Sequence, residues 1–384
     1  MRIYRIDRPA DKAAFLKGLD CDPGGVAIMA KKMETHLFMI EGMSPGAANI
    51  LKQDALAVGA ELAVPVGVVT CAKERCDAVL MGTARQLGYL AAKEKAQPFG
   101  LKKVAAALES FLKERRFSLR IMGVVNANDD SFYAGSRFRE KEAVEAVERM
   151  IEEGAAIVDV GGVSSRPGSE PVPPEEELRR VAPVLEAVYA QKLYEKAVFS
   201  IDSYAPQVVE KALSCGFGIV NDITGLADER IGKLALQYGA KVVIMHMQGT
   251  PKTMQQDPRY DNVVLDVDDF FARRIAKAEA LGLARDDIIL DVGIGFGKRL
   301  EHNLALLKHL RHFTRFGCEV LIGASRKSMI DAIVPAPVEA RLPGTLAIHL
   351  EAVRRGASIV RCHDVAEHRQ ALALYEAIEK GGLE

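Results

Sequence analysis

The chain has 384 residues, of which 49% are hydrophobic and 27% charged, the composition of an ordinary globular protein with a full-sized core. Its 51 basic and 52 acidic side chains leave a formal net charge of −1, so no global field attracts nucleic acid or an anionic membrane. The N-terminus lacks the apolar region of a signal peptide and no stretch is apolar enough to span a bilayer, so we expect a cytoplasmic protein. The six cysteines are scattered without zinc-site spacing and are expected to be free thiols.

Residues 1–116 are predicted to form a small α/β extension of unknown role. The segments HLFMI, ELAVPVGVV and DAVLMG are typical of strands, and PGAANILKQDALAVG and PFGLKKVAAALESFLKERR are typical of helices. We find no catalytic motif in this region. A basic helix end rather than a Pro/Gly linker marks its boundary with residues 117–384.

Residues 117–384 alternate short apolar runs with amphipathic stretches, and the alternation repeats eight times. Eight β-then-α units in about 265 residues predict a (β/α)8 barrel, in preference to a doubly wound open sheet. The predicted strands are 120–125, 155–160, 198–202, 218–222, 241–246, 287–292, 319–323 and 358–363.

Each predicted strand runs into polar or ionisable side chains. An Asp or Asn at a strand end can simply cap the next helix or close a turn. Capping does not explain polar groups at the ends of all eight predicted strands. Burying so many ionisable side chains at one end of a barrel costs free energy unless a polar ligand binds there. We therefore expect a ligand site at the C-terminal face, made of Asn126, Asp159, Asp202, Asn221, Asp222, His246, Asp291, the turn Ser325-Arg326-Lys327, Arg361 and His363.

One set of these residues matches a flat heterocycle. Asp202 and Asp291 can accept from an amino group beside a ring N–H, and Asn221 offers both a donor and an acceptor. Lys327 supplies a cation to a ring carbonyl or nitrogen. Together they predict binding of an aminopyrimidinone-type ring.

A second set suits a phosphate ester. Arg166, in the long loop DVGGVSSRPG, joins Arg361 and His363, which we expect on one face of the last strand. The amide oxygen of Asn126 could ligate Mg²⁺ carried by a diphosphate. The two sets describe one molecule, a heterocycle bearing a diphosphate.

Eight segments of the chain resemble, in order and spacing, the motif set of the dihydropteroate synthases. The resemblance covers about residues 119 to 380, and its most specific parts are the Ser-Arg-Pro-Gly loop, the Met-His-Met-Gln-Gly-Thr-Pro run and the Ser-Arg-Lys turn. The segments are IMGVVNANDDSF, DVGGVSSRPGSEPV, SIDSY, VNDITG, MHMQGTPKTMQ, DVGIGFG, GASRKSMI and IVRCHD.

The resemblance implies condensation of 6-hydroxymethyl-7,8-dihydropterin diphosphate with p-aminobenzoate, giving 7,8-dihydropteroate and diphosphate. It implies a Mg²⁺ cofactor and, as is usual in the family, a homodimer. The implied pterin residues are Asp202, Asn221, Met245, Asp291 and Lys327. The implied diphosphate and catalytic residues are Asn126, which is also the implied metal ligand, Arg166, Lys327, Arg361 and His363. The implied p-aminobenzoate residues are Phe132, Ser165, Pro167 and Ser328.

The chain departs from the family pattern in its loops. The first loop has Asn128-Asp129-Asp130 where the family usually has Thr-Pro-Asp, and Val163, Ser165 and Val292 replace other usual residues. Two alternatives stay open: a methyltetrahydrofolate:corrinoid methyltransferase-like enzyme, and a pterin-binding paralogue without catalysis. These loop changes bear on lid closure and on the response to sulfonamides.

Overall fold

A computed structural model describes residues 2–7, 9, 11–113, 115–127, 137–164 and 168–380, with the side chains of 137–142 and 380 left out of that description. The chain divides into two compact units, Met1–Glu114 with Glu376–Glu384, and Arg115–Tyr375. Within the described ranges, no helix combines the length and apolar character needed to cross a bilayer.

The first unit is built on a three-stranded antiparallel sheet in the order β1-β3-β2. Its strands are β1 (Thr35–Met43), β2 (Glu61–Ala63) and β3 (Cys76–Thr83). Its helices are α1 (Lys12–Gly18), α2 (Pro23–Met29), α3 (Pro45–Ala57), α4 (Ala84–Glu94) and α5 (Leu101–Leu112). The predicted α/β character is confirmed, but the expected strand ELAVPVGVV is wrong in extent. It stops at Ala63 because Pro65 cannot donate to the ladder and Gly67 turns the chain with φ +88°.

The second unit is a closed barrel of eight parallel strands, so the predicted barrel is confirmed. The strands are β4 (Arg120–Asn126), β5 (Ile157–Gly161), β6 (Val198–Asp202), β7 (Ile219–Asp222), β8 (Lys241–Met245), β9 (Ile288–Asp291), β10 (Glu319–Ile322) and β11 (Ile359–Cys362). The barrel-side helices are α6 (Arg137–Glu153), α7 (Pro174–Ala190), α8 (Pro206–Ser214), α9 (Glu229–Tyr238), α10 (Val263–Ala280), α11 (Leu300–Lys308), α12 (Ser328–Ile333), α13 (Leu342–Arg354) and α14 (Val365–Lys380).

A layer of apolar side chains fills the barrel interior. One buried residue from each of seven strands forms this layer, and the eighth strand contributes the buried Ser200 at the matching position. Successive side chains of a strand alternate between its two faces, so the residue two positions further along each strand also points inward. The members of the apolar layer are Met122, Ile157, Ile219, Val243, Ile289, Leu321 and Ile359.

Candidate active site

The layer above the apolar one consists largely of polar side chains. Counting two positions along each strand from the apolar layer reaches the strands' C-terminal ends, where the chemistry of such barrels is located. The ladder sets Asp202 beside Asn221 and Met245 beside Asp291. The inward positions so reached are Asp159, Asp202, Asn221, Met245, Asp291 and Arg361, together with Val124 and Gly323.

Arg361 is the centre of a buried ion network. Its Nε donates to Asp159 Oδ2 at 2.7 Å, and its Nη2 donates to Asp202 Oδ2 at 2.8 Å. Asn221 Nδ2 donates to the same Asp159 oxygen at 3.0 Å. The side chains of Asp159 and Asp202 are only 0% and 14% exposed, so solvent screens these pairs weakly. Arg361 of the predicted diphosphate set therefore lies in one hydrogen-bonded group with Asp202 and Asn221 of the predicted heterocycle set.

Burial and opposing charges tune the acids of this group. Burial raises the pKa of Asp202 to about 7, and the Arg361 guanidinium opposes that rise. Burial likewise raises the pKa of Asp291, against the N–H of Gly293 and the charge of Lys327. For Arg361, burial lowers the pKa, but the carboxylates of Asp159 and Asp202 outweigh it and keep the group charged. The site thus holds one permanent cation, Arg361, beside two acids that burial makes easier to protonate.

Lys327 lies in the turn after β10. Its Nζ lies 4.3 Å from the centre of the Phe296 ring, a cation–π distance, and its charge acts on both Asp202 and Asp291. Ser328 is the first residue of α12, directly after Lys327. The turn thus brings a cation close to Asp202 and Asp291, and the space around these three side chains and Arg361 is called the basin below.

A buried lysine, Lys298, braces the loop that follows β9. Its Nζ lies 2.9 Å from His246 Nδ1 and donates to the carbonyl oxygens of His246 at 3.2 Å and Phe296 at 2.9 Å. Gly293, with φ +67°, closes the loop against the His246 carbonyl, where an added Cβ would come within 2.0 Å of the oxygen. Only glycine fits there. The brace supports the loop that carries Phe296 beneath Lys327.

Two residues expected in the ligand site have structural roles instead. Asp222 is fully buried and accepts hydrogen bonds from the backbone N–H groups of Thr224 and Leu226, so it closes the turn after β7. His246 binds Lys298, and burial lowers its pKa to about 2. Both lie one position beyond an inward-facing residue, so the alternation of the strand turns them away from the basin.

His363 lies just past the last strand rather than on it. β11 ends at Cys362, and the imidazole Nδ1 of His363 lies 2.9 Å from Ser325 Oγ. This correction moves His363 to the loop beside the Ser-Arg-Lys turn. The strand had to end there because the following residues begin α14 at Val365.

Four predicted site residues, Phe132, Ser165, Arg166 and Pro167, lie outside the described residues, as do Asn128-Asp129-Asp130. Asn126 ends β4 and is half-buried. Among the described residues, no group of three or more His, Cys, Asp or Glu side chains could hold a metal ion. Mg²⁺ usually keeps several waters and takes one or two protein ligands together with substrate phosphates. The single amide oxygen of Asn126 fits that kind of site, not an all-protein cage.

A cavity of about 540 Å³ opens beside Asp202. Its walls come from the loops after β5, β6, β7 and β8, including Tyr204 and Thr224, and from helices α7 and α10, including the buried acid Glu177. Burial raises the pKa of Glu177, and its hydrogen bond with Ser203 opposes that rise. The volume is within the usual range of small-molecule pockets, roughly 300–1,000 Å³. Asp202 therefore borders this cavity as well as pairing with Arg361.

Sequence reasoning placed Asp159 on the rim without a role and missed Lys298 and Phe296 as site residues. The alternation signal identifies Asp159, since it lies two positions after a residue of the inner apolar layer. Lys298 follows the glycine run GIGFG, and no pattern in the sequence shows that its ammonium group turns inward.

Comparison with known proteins agrees with this geometry. Residues 122–363 match the model of the pterin binding enzyme family. A Helicobacter pylori protein named bifunctional dihydropteroate synthase/dihydropteroate reductase is 40% identical over 353 residues, which cover 92% of each chain. The dihydropteroate synthase of Escherichia coli is 42% identical over 258 residues, 67% of this chain and 90% of the relative.

A solved structure extends the likeness to three dimensions. The dihydropteroate synthase of Xanthomonas albilineans in complex with 7,8-dihydropteroate is 35% identical, with a TM-score of 0.60, over 69% of this chain and 94% of that one. The matches to these relatives cover the barrel, and the polar residues of the site lie at its C-terminal end. The chain therefore belongs to the pterin-binding enzymes and, within them, to the dihydropteroate synthases.

Proposed function

We propose that the barrel performs the dihydropteroate synthase reaction of its family with the residues of the inward layer. The observation that carries this assignment is the network of Arg361 with Asp159 and Asp202, which joins a carboxylate suited to a heterocycle to a cation suited to its diphosphate. A catalyst that separates a heterocycle from diphosphate needs both kinds of group within one small basin.

The pterin ring is assigned to the acids and the amide of the layer. Asp202 and Asp291 accept from the amino group and ring N–H groups, and Asn221, held by Asp159, presents its amide to the same edge. Lys327 approaches a ring carbonyl or nitrogen from the Phe296 side, and Met245 packs on the ring. These roles rest on the donors and acceptors that the strands bring together.

The diphosphate is assigned to the cationic side of the basin, with Arg361, His363 and Arg166. Asn126 would hold Mg²⁺ arriving with the diphosphate, and the metal would neutralise charge on the leaving oxygens. Departure of diphosphate breaks the bond between the exocyclic methylene carbon and the ester oxygen, and the electron pair leaves with that oxygen. The site's cations stabilise the departing charge.

The second half of the reaction forms the carbon–nitrogen bond. The aromatic amine of p-aminobenzoate donates its lone pair to the methylene carbon and then loses a proton to the diphosphate or to solvent. A free aromatic amine is already a nucleophile at neutral pH, so no strong general base is required. Ser328 at the start of α12, with Phe132, Ser165 and Pro167, is assigned to the aminobenzoate.

The reaction is tested by following diphosphate release from purified protein given the dihydropterin diphosphate, p-aminobenzoate and Mg²⁺. We expect turnover that requires both organic substrates, stops with a chelator and returns with Mg²⁺. Asp202→Asn should abolish pterin binding, and Arg230→Met, which alters an exposed ion pair, serves as the matched control. Pterin binding without turnover would support a non-catalytic paralogue, and methyl transfer to a corrinoid protein would support the methyltransferase.

We also propose a second activity, reduction of the dihydropteroate product, on one specific observation. The likeness to the Helicobacter pylori protein covers 92% of this chain, whereas that to the Escherichia coli synthase covers 67%. The name of the Helicobacter pylori protein includes dihydropteroate reductase. Of these two matches, only the one to that protein is long enough to include the unit that precedes the barrel. Reduction needs a hydride donor, so the test supplies dihydropteroate with a reduced nicotinamide or a reduced flavin. Oxidation of the donor that depends on dihydropteroate would support this activity, and its absence with both donors would exclude it.

A further inference from the structure

Two buried histidines outside the proposed substrate contacts form a hydrogen-bonded pair. His349 on α13 and His368 on α14 are each 1% exposed, and His349 Nδ1 lies 2.8 Å from His368 Nε2. Their rings are 4.9 Å apart between centroids. A buried polar pair of this kind is stable only when each nitrogen has a partner.

The direction of every hydrogen bond in the pair follows from its ends. The backbone N–H of Ala324 donates to His349 Nε2 at 3.1 Å, so that nitrogen carries no proton and Nδ1 of the same ring must carry one. His349 Nδ1–H therefore donates to His368 Nε2, and His368 Nδ1–H donates to the carbonyl oxygen of Asp364 at 2.6 Å. Both rings are neutral Nδ1–H tautomers in one continuous chain of hydrogen bonds. Burial lowers the pKa of His349 to about 3 and also lowers the pKa of His368, which agrees with neutral rings.

The chain of hydrogen bonds ends at two segments that carry substrate-binding groups. Ala324 opens the turn that carries Lys327, and Asp364 directly follows His363. Arg326, within the turn, adopts φ +56°, a left-handed conformation that costs free energy in a residue other than glycine. The turn must therefore be held by its surroundings.

The surroundings hold the turn from two sides. Arg326 N–H donates to Thr345 Oγ1 of α13 at 2.9 Å, and the Arg326 guanidinium pairs with the Asp364 carboxylate. The histidine pair connects these two sides directly, since one ring lies on α13 and the other reaches Asp364. Leucines could fill the same space, but they would leave the buried N–H of Ala324 without its acceptor.

We propose that the His349–His368 pair is a positioning element for the synthase reaction, which locks the turn bearing Lys327 to the loop bearing His363. The pair keeps the group assigned to the pterin ring at a constant distance from the group assigned to the diphosphate. This inference rests on the proposed function of the barrel. It assigns no direct contact with substrate to either ring.

The first test is kinetic and uses the full-length protein. His349→Leu removes the acceptor for Ala324 and the donor for His368, and we expect kcat/KM for the dihydropterin diphosphate to fall about tenfold to a hundredfold, as for small misplacements of binding groups. His349→Gln can still accept from Ala324 N–H and should recover part of that loss. The double variant His349→Leu/His368→Leu should be no worse than the poorer single variant, because both changes break one chain. His309→Leu, at an exposed histidine of the barrel, is the matched control.

The second test is spectroscopic, and its readout comes from the native protein. Nitrogen-15 NMR of histidine-labelled native protein should show Nδ1–H tautomers for His349 and His368 that persist as the pH falls to 5, with assignment by His349→Gln and His368→Gln. An Nε2–H tautomer at either ring, or kcat/KM unchanged in a folded His349→Leu variant, would overturn the proposal. If His349→Leu does not fold, the tautomers and the Gln variant decide. A wild-type protein without synthase turnover would instead remove the proposed function itself.

Discussion

Replacing Arg361 by methionine tests the central network of the barrel. The substitution keeps an unbranched apolar stem but removes the guanidinium charge that pairs with Asp159 at 2.7 Å and Asp202 at 2.8 Å. The two carboxylates are 0% and 14% exposed, so both would be left buried without the cation that donates hydrogen bonds to them. Breaking one partner of a buried pair typically costs about 3–5 kcal/mol, and we expect Arg361→Met to reduce the free energy of unfolding of the barrel by about that amount at pH 8.

The cost should depend on pH in a stated direction. Burial raises the pKa of Asp202 to about 7 and Arg361 opposes the rise, so removal of Arg361 raises this pKa further. The folded variant then takes up a proton more readily than the folded wild type. The loss of stability should therefore be largest above pH 7 and should shrink as the pH falls below 7.

Urea denaturation at several pH values, followed by a probe in the barrel, measures this effect. Arg361→Met/Asp159→Asn should recover part of the loss because one of the stranded charges is gone. Arg230→Met, at an Arg–Asp pair whose arginine is 72% exposed, should cost no more than about 1 kcal/mol. A loss for Arg361→Met equal to that of Arg230→Met, or a loss that grows at acid pH, would refute the reasoning.

Three further predictions concern single side chains. Glu94 is 0% exposed, and burial together with Asp54 raises its pKa from 4.5 to about 7, so its ionisation destabilises the first unit as the pH rises from 4.5 through 7. Glu94→Gln should therefore stabilise that unit by up to about 3 kcal/mol at pH 8 and hardly at pH 4. Hydrogen exchange of β3 measures the change, and an equal effect at both pH values would contradict the reasoning. Lys298→Met removes a donor to three acceptors, so it should lower the free energy of unfolding, measured by thermal unfolding, by about 1–3 kcal/mol. It should also raise KM for the pterin substrate. If neither the free energy of unfolding nor KM changes, the loop does not need Lys298. His363→Gln should weaken binding of the diphosphate form in calorimetry and leave the free pterin almost unaffected, and equal weakening of both ligands would argue against its assignment to the diphosphate.

Much of the barrel could be predicted because parallel strands covered by helices are short continuous apolar runs. β6, for example, spans the predicted residues 198–202, and the other barrel strands differ from prediction by at most two residues at an end. The first unit was harder to predict. Its strand from Glu61 was expected to run on through VPVGVV, because apolar composition alone does not show where a proline and a glycine turn the chain.

Only part of the candidate site could be predicted from the sequence. Asp202, Asn221, Asp291 and Arg361 were identified because strand ends converge in a barrel of this kind. Asp222 and His246 have the same residue types at the same strand ends, yet they lie one position further on and serve the loops. What separates them from the others is the inward register of each strand, which only the ladder pairing defines.

The sequence by itself determined the barrel, the face that holds the chemistry and the residue types gathered there, because these depend on periodicity and on the order of segments along the chain. Only the tertiary structure decided which charges pair. Arg361 joins Asp159 and Asp202 across 202 and 159 residues of chain, and the His349 ring on α13 meets the His368 ring on α14. Such pairings depend on distances of about 3 Å between groups far apart in sequence, and no local pattern encodes them.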